Sequence, residues 1–267
     1  MEIHVSKTFA ASAVFFLSTT AITPAFAVDE LVVTTTRRAV SLENVGSSIS
    51  VLSDIELQRG QYNFTLDALE TVPGLSVNQN GSYGGVATVR IRGALTDQTV
   101  ILVDGVQIND PSSTGGGYNF ADLSPYDIER VEVLKGPQSV LYGSDAIGGV
   151  VNIITKSGGD GIEGNAFAEV GSFNTYRAGV TLLGGDERLN YRITGTGVTS
   201  SGISKAEKDN GNDENDGYEN YALSAKVGAT LADNVRAEFI GRYSDSDSDS
   251  DGFDSFTFLP TDADESD

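Results

Sequence analysis

The feature that most constrains the fold of this chain is the glycine-rich run at residues 136–155, which ends in a block of β-branched side chains. Gly136-Pro137 predicts the end of a preceding strand, because proline has no backbone donor for a sheet interior. Gly143 and the pair Gly148-Gly149 supply chain reversals and close backbone contacts that a Cβ would obstruct. Val150 to Thr155 is uncharged and largely β-branched, which predicts a short buried strand.

The composition excludes several classes of protein. The chain has no cysteine, one histidine and one methionine, so disulfides, thiolate zinc sites and haem ligation are not indicated. A net charge of -21 argues against nucleic-acid binding. The sequence contains no Gly-x-Ser-x-Gly elbow, phosphate-binding loop or zinc-ligand spacing, so we predict that the chain is not an enzyme.

Residues 1–27 have the layout of a secretory signal peptide. Lys7 precedes an apolar stretch, and the small residues of Ala25-Phe26-Ala27 occupy the positions expected before a cleavage site. A transmembrane helix is the poorer interpretation, because the apolar stretch is interrupted by polar residues and Pro24 and falls short of ~20 residues. We predict cleavage before Val28 and export from the cytoplasm.

Short helices are predicted in the first half of the mature chain. Ser53 and Glu56 form a capping-box pattern that opens a helix, which Gly60 closes. A second helix is predicted over 66–71, and Ser124-Pro125 predicts the start of a third, since proline is favoured at the first helical position.

Strands alternate with these helices. Ser48–Leu52, Thr88–Gly93, Val100–Val103 and Val131–Lys135 have strand-like patterns, and Asp104-Gly105 predicts a tight turn. The first half of the chain is therefore predicted to be a small α+β unit, a mixed sheet with short helices and glycine-rich loops.

From Ile162 onward the sequence predicts successive antiparallel strands, and the first three are each about as long as the ~9–11 residues that a tilted membrane-spanning strand needs. The five segments are Gly164–Gly171, Thr175–Gly184, Arg188–Gly197, Tyr218–Leu231 and Val235–Ser244. Outward-facing candidates are Phe167, Val170, Val180, Leu182, Tyr191 and Ile193. A soluble β-sandwich is the alternative for these segments taken alone.

Three motifs carry a family resemblance: Arg90-Ile91-Arg92-Gly93, Val103-Asp104-Gly105, and the whole stretch from Ile128 to Thr155. Together they resemble the plug domain of TonB-dependent outer-membrane receptors. The resemblance implies a TonB box and linker at 28–38, an α+β plug domain at 39–160, and the first antiparallel strands of a transmembrane β-barrel at 162–267. A plugged barrel needs about 22 strands, so the barrel is expected to be incomplete and the chain to be the N-terminal part of a longer receptor.

The segment after the predicted cleavage site is β-prone and has no hairpin partner nearby, so it is expected to be extended and able to add to another protein's sheet edge. An ordinary first strand is the alternative. The resemblance implies that this segment is the TonB box, which binds TonB: Asp29, Glu30, Leu31, Val32, Val33 and Thr34. By position in the family, ligand contacts at the plug apices would come from Val86, Thr88, Leu95, Ser113 and Thr114.

Acidic runs dominate the C-terminal quarter: residues 205–267 hold 17 Asp and Glu against five Lys and Arg. Clustered carboxylates suit Ca²⁺, which accepts several oxygen ligands in loose geometry, although a solvated acidic loop is the default interpretation. In the cobalamin-receptor branch of the family, loops at this point bind Ca²⁺. The resemblance therefore implies calcium ligands at Asn212, Glu214, Asp216, Asp251 and Asp262, while Ser204 and Ser250 depart from that pattern.

The resemblance implies active uptake of a large scarce ligand through the outer membrane of a Gram-negative bacterium, with TonB and outer-membrane lipid as partners. Cobalamin is the favoured ligand, and a ferric siderophore is the alternative within the family. A secreted acidic calcium-binding β protein is the alternative from another class, and it would be recovered without detergent and would not bind TonB.

Overall fold

The computed structural model describes residues 31–32, 40–41, 46–80, 83–109, 117–203, 215–232, 235–249, 251–253 and 260–264. For 31–32, 40–41, 251–253 and 260–264 only the backbone is described. The predicted signal segment, residues 1–27, lies outside the described residues.

The plug, residues 46–155, is built on a mixed five-stranded sheet. Its strands are β3 (Ser48–Ser53), β8 (Ile128–Lys135), β9 (Gly149–Thr155), β6 (Thr99–Val103) and β7 (Val106–Gln107), in that order across the sheet. β6 and β9 are parallel and the other neighbours are antiparallel. The buried strand predicted for 150–155 and the strand end predicted at Gly136-Pro137 are both confirmed.

A separate hairpin of β4 (Leu75–Gln79) and β5 (Ala87–Ile91) packs with helices α1 (Asp54–Gly60) and α2 (Thr65–Glu70) against one face of this sheet. A third short helix, α3 (Ser139–Tyr142), lies in the glycine-rich run. The apolar side chains between these layers are the core of the plug, and fully buried members include Ala68, Leu69, Ala87, Ile91, Val131, Val133, Val151 and Ile153.

The capping box predicted for α1 is present. The Ser53 hydroxyl accepts a hydrogen bond from the Glu56 amide at 3.4 Å, and the Glu56 carboxylate accepts one from the Ser53 amide at 2.8 Å. Gly60 is the last helical residue, so the predicted end of the helix is confirmed, and the left-handed cap is the next residue, Gln61, at φ 49°.

Replacing Ser53 with alanine is expected to destabilise the plug by about 1 kcal/mol, because the orphan amide of Glu56 loses its acceptor. The measurement is the midpoint of urea unfolding of the plug. Ser47→Ala is a control, since Ser47 lies before β3 and caps no helix. Equal midpoints for Ser53→Ala and the parent protein would contradict the capping role.

The hydrogen bonds between Ser53 and Glu56 also make the stability of the plug depend on pH. Hydrogen bonds from the Ser53 amide and hydroxyl lower the pKa of Glu56 below its ordinary value. The stabilisation is therefore complete above the pKa that Glu56 has in the unfolded chain, and it is lost as the pH falls through the lowered pKa of the folded state. Urea midpoints measured between pH 6 and about pH 3 are expected to fall less in Glu56→Gln than in the parent protein.

The third helix predicted at Ser124-Pro125 is wrong. Pro125 to Asp127 form a turn, in which the Ile128 amide donates to the Pro125 carbonyl at 3.2 Å, and β8 begins at once. Too few residues separate Pro125 from the strand for a helix to form. The turn directs the Asp127 side chain out of the plug.

After the plug come five antiparallel strands in sequential order, which we call the wall sheet. They are β10 (Gly161–Gly171), β11 (Thr175–Gly185), β12 (Leu189–Ile203), β13 (Asp216–Ala232) and β14 (Val235–Ser248). All five predicted strands are confirmed, and together they are the strands of a barrel that is not closed. β10, β12, β13 and β14 are longer than predicted, and β14 continues through Asp245 to Ser248, beyond its predicted end at Ser244.

Side chains of the wall sheet alternate between a face toward the plug and an outward face. Large exposed apolar side chains on the outward face include Val170, Tyr176, Val180, Leu182, Ile193, Tyr221, Leu223, Phe239 and Tyr243. This alternation is typical of strands that contact lipid on one side. Phe167 was predicted to face outward, but its ring stacks on Tyr126 of the plug, so that prediction is wrong.

Two small strand pairs complete the description. β1 (Leu31–Val32) pairs antiparallel with β2 (Val40–Ser41), and β15 (Asp251–Phe253) pairs with β16 (Pro260–Asp264). The prediction that the N-terminal segment has no hairpin partner is therefore wrong for Leu31 and Val32. Within the described ranges, no helix combines the length and apolar character needed to cross a membrane.

Candidate functional site

The plug is attached to the wall sheet through buried charged contacts, and the most enclosed of these joins Asp127 to β12 and β13. Arg192 Nη1 donates to Asp127 Oδ2 at 2.7 Å and to the Ser224 hydroxyl at 2.8 Å. The Ser224 hydroxyl in turn donates to Asp127 Oδ2 at 2.8 Å. The Arg192 side chain is fully buried and that of Asp127 is 5% exposed, so water screens this ion pair little.

A second buried pair joins Asp104 to β13. Asp104 and Gly105 both have positive φ, 49° and 81°, which forms the two-residue turn predicted between β6 and β7. The Asp104 carboxylate accepts from the Thr155 amide at 3.0 Å and from Lys226 Nζ at 2.9 Å. Asp104 thus binds the end of the plug sheet to the wall sheet.

Arg177 of β11 makes the third contact. Its guanidinium donates through Nη1 to Asn63 Oδ1 at 2.6 Å and through Nη2 to the Asn63 carbonyl, and it lies 3.2 Å from Glu169 Oε2. Asn63 lies two positions before α2, and its side-chain amide also donates to the Tyr83 hydroxyl at 3.1 Å. Arg177 therefore connects the wall sheet to the loop between β4 and β5.

Tyr126 lies beside this contact. Its ring is parallel to that of Phe167, with 3.4 Å between the ring centroids, and its hydroxyl donates to Glu169 Oε1 at 2.7 Å. Burial, together with the hydrogen bond to Glu169, raises the pKa of Tyr126 to about 12. The hydroxyl therefore stays protonated and remains a donor at neutral pH.

The loop between β4 and β5 meets the wall sheet at Tyr218. The rings of Phe64, Tyr83 and Tyr218 form a cluster with centroids 5.2 to 6.2 Å apart. The Tyr218 hydroxyl donates to Asp122 at 2.7 Å. Gly84 has φ +82°, and a Cβ added to it would lie 2.8 Å from the Tyr218 ring. Only glycine therefore allows the backbone of this loop to lie so close to the wall sheet.

Between the plug and strands β12 to β14 lies a cavity of about 370 Å³. Its lining includes Tyr118, Asp122, Asp127, Ser224 and Arg242. Polar and apolar side chains both line the cavity, and Asp127 and Asp122 are both among them. The plug therefore contacts the wall sheet through buried ion pairs and hydrogen bonds as well as through aromatic rings.

The predicted ligand contacts that the structure describes lie on different segments of the plug. Val86 and Leu95 are each 55% exposed, and Thr88 is half-buried on β5. Val86 lies at the end of the loop between β4 and β5, whereas Leu95 precedes the short 3₁₀ turn at Thr96–Gln98. Ser113 and Thr114 lie outside the described residues.

The predicted TonB box is only partly described. Leu31 and Val32 form β1, paired with Ser41 and Val40 respectively. Asp29, Glu30, Val33 and Thr34 lie outside the described residues. The assignment of these six residues to a TonB box stays a prediction.

The described residues do not test the predicted calcium site. Asp216 is buried at the start of β13, and Asp251 and Asp262 are on β15 and β16, where only the backbone is described. Asn212 and Glu214 lie outside the described residues. Within the described part of the chain, no group of three or more His, Cys, Asp or Glu could hold a metal ion. Calcium binding stays a prediction.

The sequence indicated a tight turn at Asp104-Gly105, but it did not indicate which residues join the plug to the wall sheet. The missed side chains are Asn63, Asp127, Arg177, Arg192 and Lys226. A signal for three of them was present: Arg177, Arg192 and Lys226 are cations at plug-facing positions of alternating strands. No pattern indicated which plug residues they would meet, because the partners are 65 to 122 positions away along the chain.

Comparisons with known proteins agree with this architecture. The family profile of the TonB-dependent Receptor Plug Domain matches residues 41–150. The chain is 47% identical over 129 residues to the vitamin B12 transporter BtuB of Vibrio vulnificus, covering 48% of this chain and 21% of that protein. It is 32% identical over 227 residues to BtuB of Photobacterium profundum, covering 84% of this chain and 36% of that protein.

Solved structures match as well. The siderophore receptor PirA of Acinetobacter baumannii matches with a TM-score of 0.62 and 25% identity, over 76% of this chain and 32% of that chain. The ferripyoverdine receptor of Pseudomonas aeruginosa matches with a TM-score of 0.66 and 19% identity, over 82% of this chain and 28% of that chain, and so supports the fold alone.

The chain spans about a third or less of the length of the relatives and structures that it matches. These relatives are transporters and receptors, which confirms the prediction that the chain is not an enzyme. A plug with a mixed sheet and few helices, followed directly by antiparallel barrel strands, is the arrangement that they share with it. The chain belongs to the TonB-dependent receptors.

Proposed function

We propose that the chain is the plug-bearing part of a receptor that imports cobalamin across the outer membrane, the location that its family implies. The observation that carries the proposal is the identity of 47% over 129 residues with a vitamin B12 transporter. Structural similarity to siderophore receptors makes a ferric siderophore the second candidate ligand.

The geometry suggests how transport would proceed. Ligand would bind at the upward loops of the plug, near Val86, Thr88 and Leu95. The loop that ends at Val86 contacts the wall sheet through Tyr83 and Gly84, and the Tyr83 hydroxyl accepts a hydrogen bond from Asn63. A ligand that moved this loop would therefore also disturb the contact between Asn63 and Arg177. TonB would then capture residues 29–34 by strand addition and displace the plug.

The hydrogen bonds between the plug and the wall sheet suit such a displacement. Each hydrogen bond broken at the interface is replaced by one to water, so the net cost per contact is small. The buried pairs of Asp104 and Asp127 are the exceptions, because their charges lie away from water. These two pairs would hold the plug in place until TonB pulls on it.

The proposed ligand is tested by calorimetric titration of the full-length receptor with cyanocobalamin and with ferric enterobactin. Saturable heat with cyanocobalamin alone supports the proposal, and heat with the ferric siderophore alone overturns it in favour of the second candidate.

Binding of Ca²⁺ to the acidic loops is also part of the proposal. The absence of heat on titration with millimolar Ca²⁺ would overturn this part.

A proline at position 32 is expected to abolish uptake while leaving ligand affinity unchanged, because proline removes a backbone donor that strand addition needs. The measurements are uptake of labelled ligand by cells and ligand binding to isolated outer membranes. Thr36→Pro is the matched control, since residue 36 lies beyond the predicted TonB box. Normal uptake by Val32→Pro would show that the box is elsewhere.

A further inference from the structure

An aromatic ring of the first wall strand, β10, lies against the plug. Of the 11 residues of this strand, Gly161–Gly171, only Phe167 is not exposed. The Phe167 ring is parallel to the Tyr126 ring of the plug, with 3.4 Å between the centroids and 4° between the planes. Aromatic pairs left to themselves prefer an offset or edge-to-face arrangement, with centroids about 4.5 to 7 Å apart. The surroundings therefore hold these two rings face to face.

The Phe167 ring also lies over Gly179 of β11. These two residues are register partners, and Gly179 is in turn the partner of Thr196 on β12. A Cβ added at Gly179 would overlap Phe167 Cε1 and lie 2.8 Å from Phe167 Cζ. The ring therefore occupies the space that a side chain at position 179 would need. We call Gly179, Phe167 and Tyr126 the aromatic stack.

The aromatic stack supports the short turn that carries Asp127. Within that turn, Tyr126 is held by Phe167 and by the hydrogen bond that its hydroxyl donates to Glu169 at 2.7 Å. The next residue, Asp127, accepts from Arg192 Nη1 of β12 at 2.7 Å. Two adjacent residues of the plug thus bind different wall strands, β10 and β12.

Two cavities border this turn. Pro125 and Tyr126 line a cavity of about 360 Å³, which residues of α1, β10 and β11 also line. Ser124 and Asp127 line the cavity of about 370 Å³ that faces β12 to β14. Because a cavity offers no atoms to pack against, the position of the turn depends on the contacts that its side chains make. A buried ion pair stabilises a protein only when its geometry is good, so Asp127 needs such contacts nearby.

We propose that Phe167, held over Gly179, is a positioning residue for the buried ion pair between Asp127 and Arg192. The ring fixes Tyr126, and Tyr126 fixes the turn from which Asp127 extends. A charged contact with β12 therefore depends on an uncharged contact with β10 and β11. Release of the plug is cooperative, because loss of the aromatic stack also weakens the ion pair. The proposal depends neither on the identity of the ligand nor on the TonB box.

The test measures how fast protease cleaves the plug of the receptor in outer-membrane vesicles. Phe167→Ala is expected to raise the cleavage rate about tenfold, because an aromatic pair is worth up to about that factor. Phe239→Ala is the matched control, since Phe239 is on the outward face of β14 and is 67% exposed. An unchanged cleavage rate in Phe167→Ala would overturn the proposal.

A mutant cycle with Asp127→Asn separates positioning from an independent contribution to stability. If Phe167 acts through Asp127, adding Phe167→Ala to the Asp127→Asn receptor changes the cleavage rate by no more than about twofold. An equal rise in both backgrounds would mean that the aromatic stack and the ion pair act separately. That result would overturn the positioning role even if Phe167→Ala loosens the plug.

Gly179→Ala tests the aromatic stack without changing either ring. The added methyl group displaces Phe167, so the cleavage rate is expected to rise as much as in Phe167→Ala. Gly195→Ala is the matched control, since Gly195 is also in a wall strand and nothing lies within 4 Å of a Cβ added to it. Equal rates in the two glycine variants would contradict the close contact between Phe167 and Gly179 and overturn the proposal.

Phe167→Leu is expected to have opposite effects in two backgrounds. In the parent protein it removes the stacked ring and raises the cleavage rate. In the Gly179→Ala protein it lowers the rate, because leucine has no atoms at the Cε1 and Cζ positions that the new methyl group approaches. A rise in both backgrounds would overturn the proposal. These outcomes do not depend on cyanocobalamin binding, so a failure of the proposed function would be recognised separately by calorimetry.

Discussion

Replacing Asp127 with asparagine is expected to weaken the binding of the plug to the wall sheet by about 3 kcal/mol, because the buried charge of Arg192 is left without a carboxylate. Among the described residues, Asp127 is the sole carboxylate paired with Arg192, and Arg192 Nε and Nη2 are buried without a protein acceptor. Arg242, 3.9 Å from the same Asp127 oxygen, would lose its partner as well. Asparagine keeps the shape of the side chain, so the change tests charge rather than packing.

The measurement is protease protection of the plug in full-length receptor as urea is increased, together with entry of a large antibiotic into cells. The urea midpoint is expected to fall and antibiotic entry to rise. Glu129→Gln is the matched control, since Glu129 is 46% exposed and its ion pair with Arg130 is worth at most about 1 kcal/mol.

A double variant tests whether the loss of stability comes from the unpaired charge of Arg192. Replacing Arg192 with methionine in the Asp127→Asn protein removes both charges, and a buried pair replaced as a whole is often nearly neutral in stability. The double variant is therefore expected to be more stable than Asp127→Asn alone. If the double variant is the less stable of the two, the loss in Asp127→Asn does not come from an uncompensated Arg192.

Gly149→Ala is expected to prevent the plug from folding, with a loss of about 4 kcal/mol or more. Gly149 begins β9 at φ +147°, a conformation that residues with a side chain rarely adopt. An added Cβ would overlap the Leu134 carbonyl of the neighbouring strand β8 and lie 2.9 Å from Ile91 Cδ1. Both obstacles are held in place, because Leu134 and Ile91 are fully buried.

Gly159→Ala is the matched control, since nothing lies within 4 Å of a Cβ at Gly159 and the residue follows the plug by only a few positions. The expected result is that Gly149→Ala receptor inserts with a plug that protease degrades without urea, while Gly159→Ala behaves as the parent protein. A protected plug in Gly149→Ala would show that β8 and β9 can separate enough to admit a methyl group.

Much of the local structure could be predicted from the sequence. The capping box at Ser53 and Glu56, the Asp104-Gly105 turn and the strand at 150–155 each depend on neighbouring residues and on backbone preferences that short segments express alone. The five wall strands were also predicted, because alternation of apolar and polar residues is a local pattern. The helix expected at Ser124-Pro125 failed because the requirement of β8 for pairing overrode a local preference.

The sequence by itself determined the family motifs, the order of plug and strands, and the close backbone approach at Gly149. Only the tertiary structure decided which charges meet: Asp127 with Arg192, Asp104 with Lys226, and Lys135 with no carboxylate among the described residues. The reason is physical. Backbone geometry and hydrophobic alternation act between near neighbours, whereas the partner of a buried charge depends on how two separately folded sheets are placed against each other.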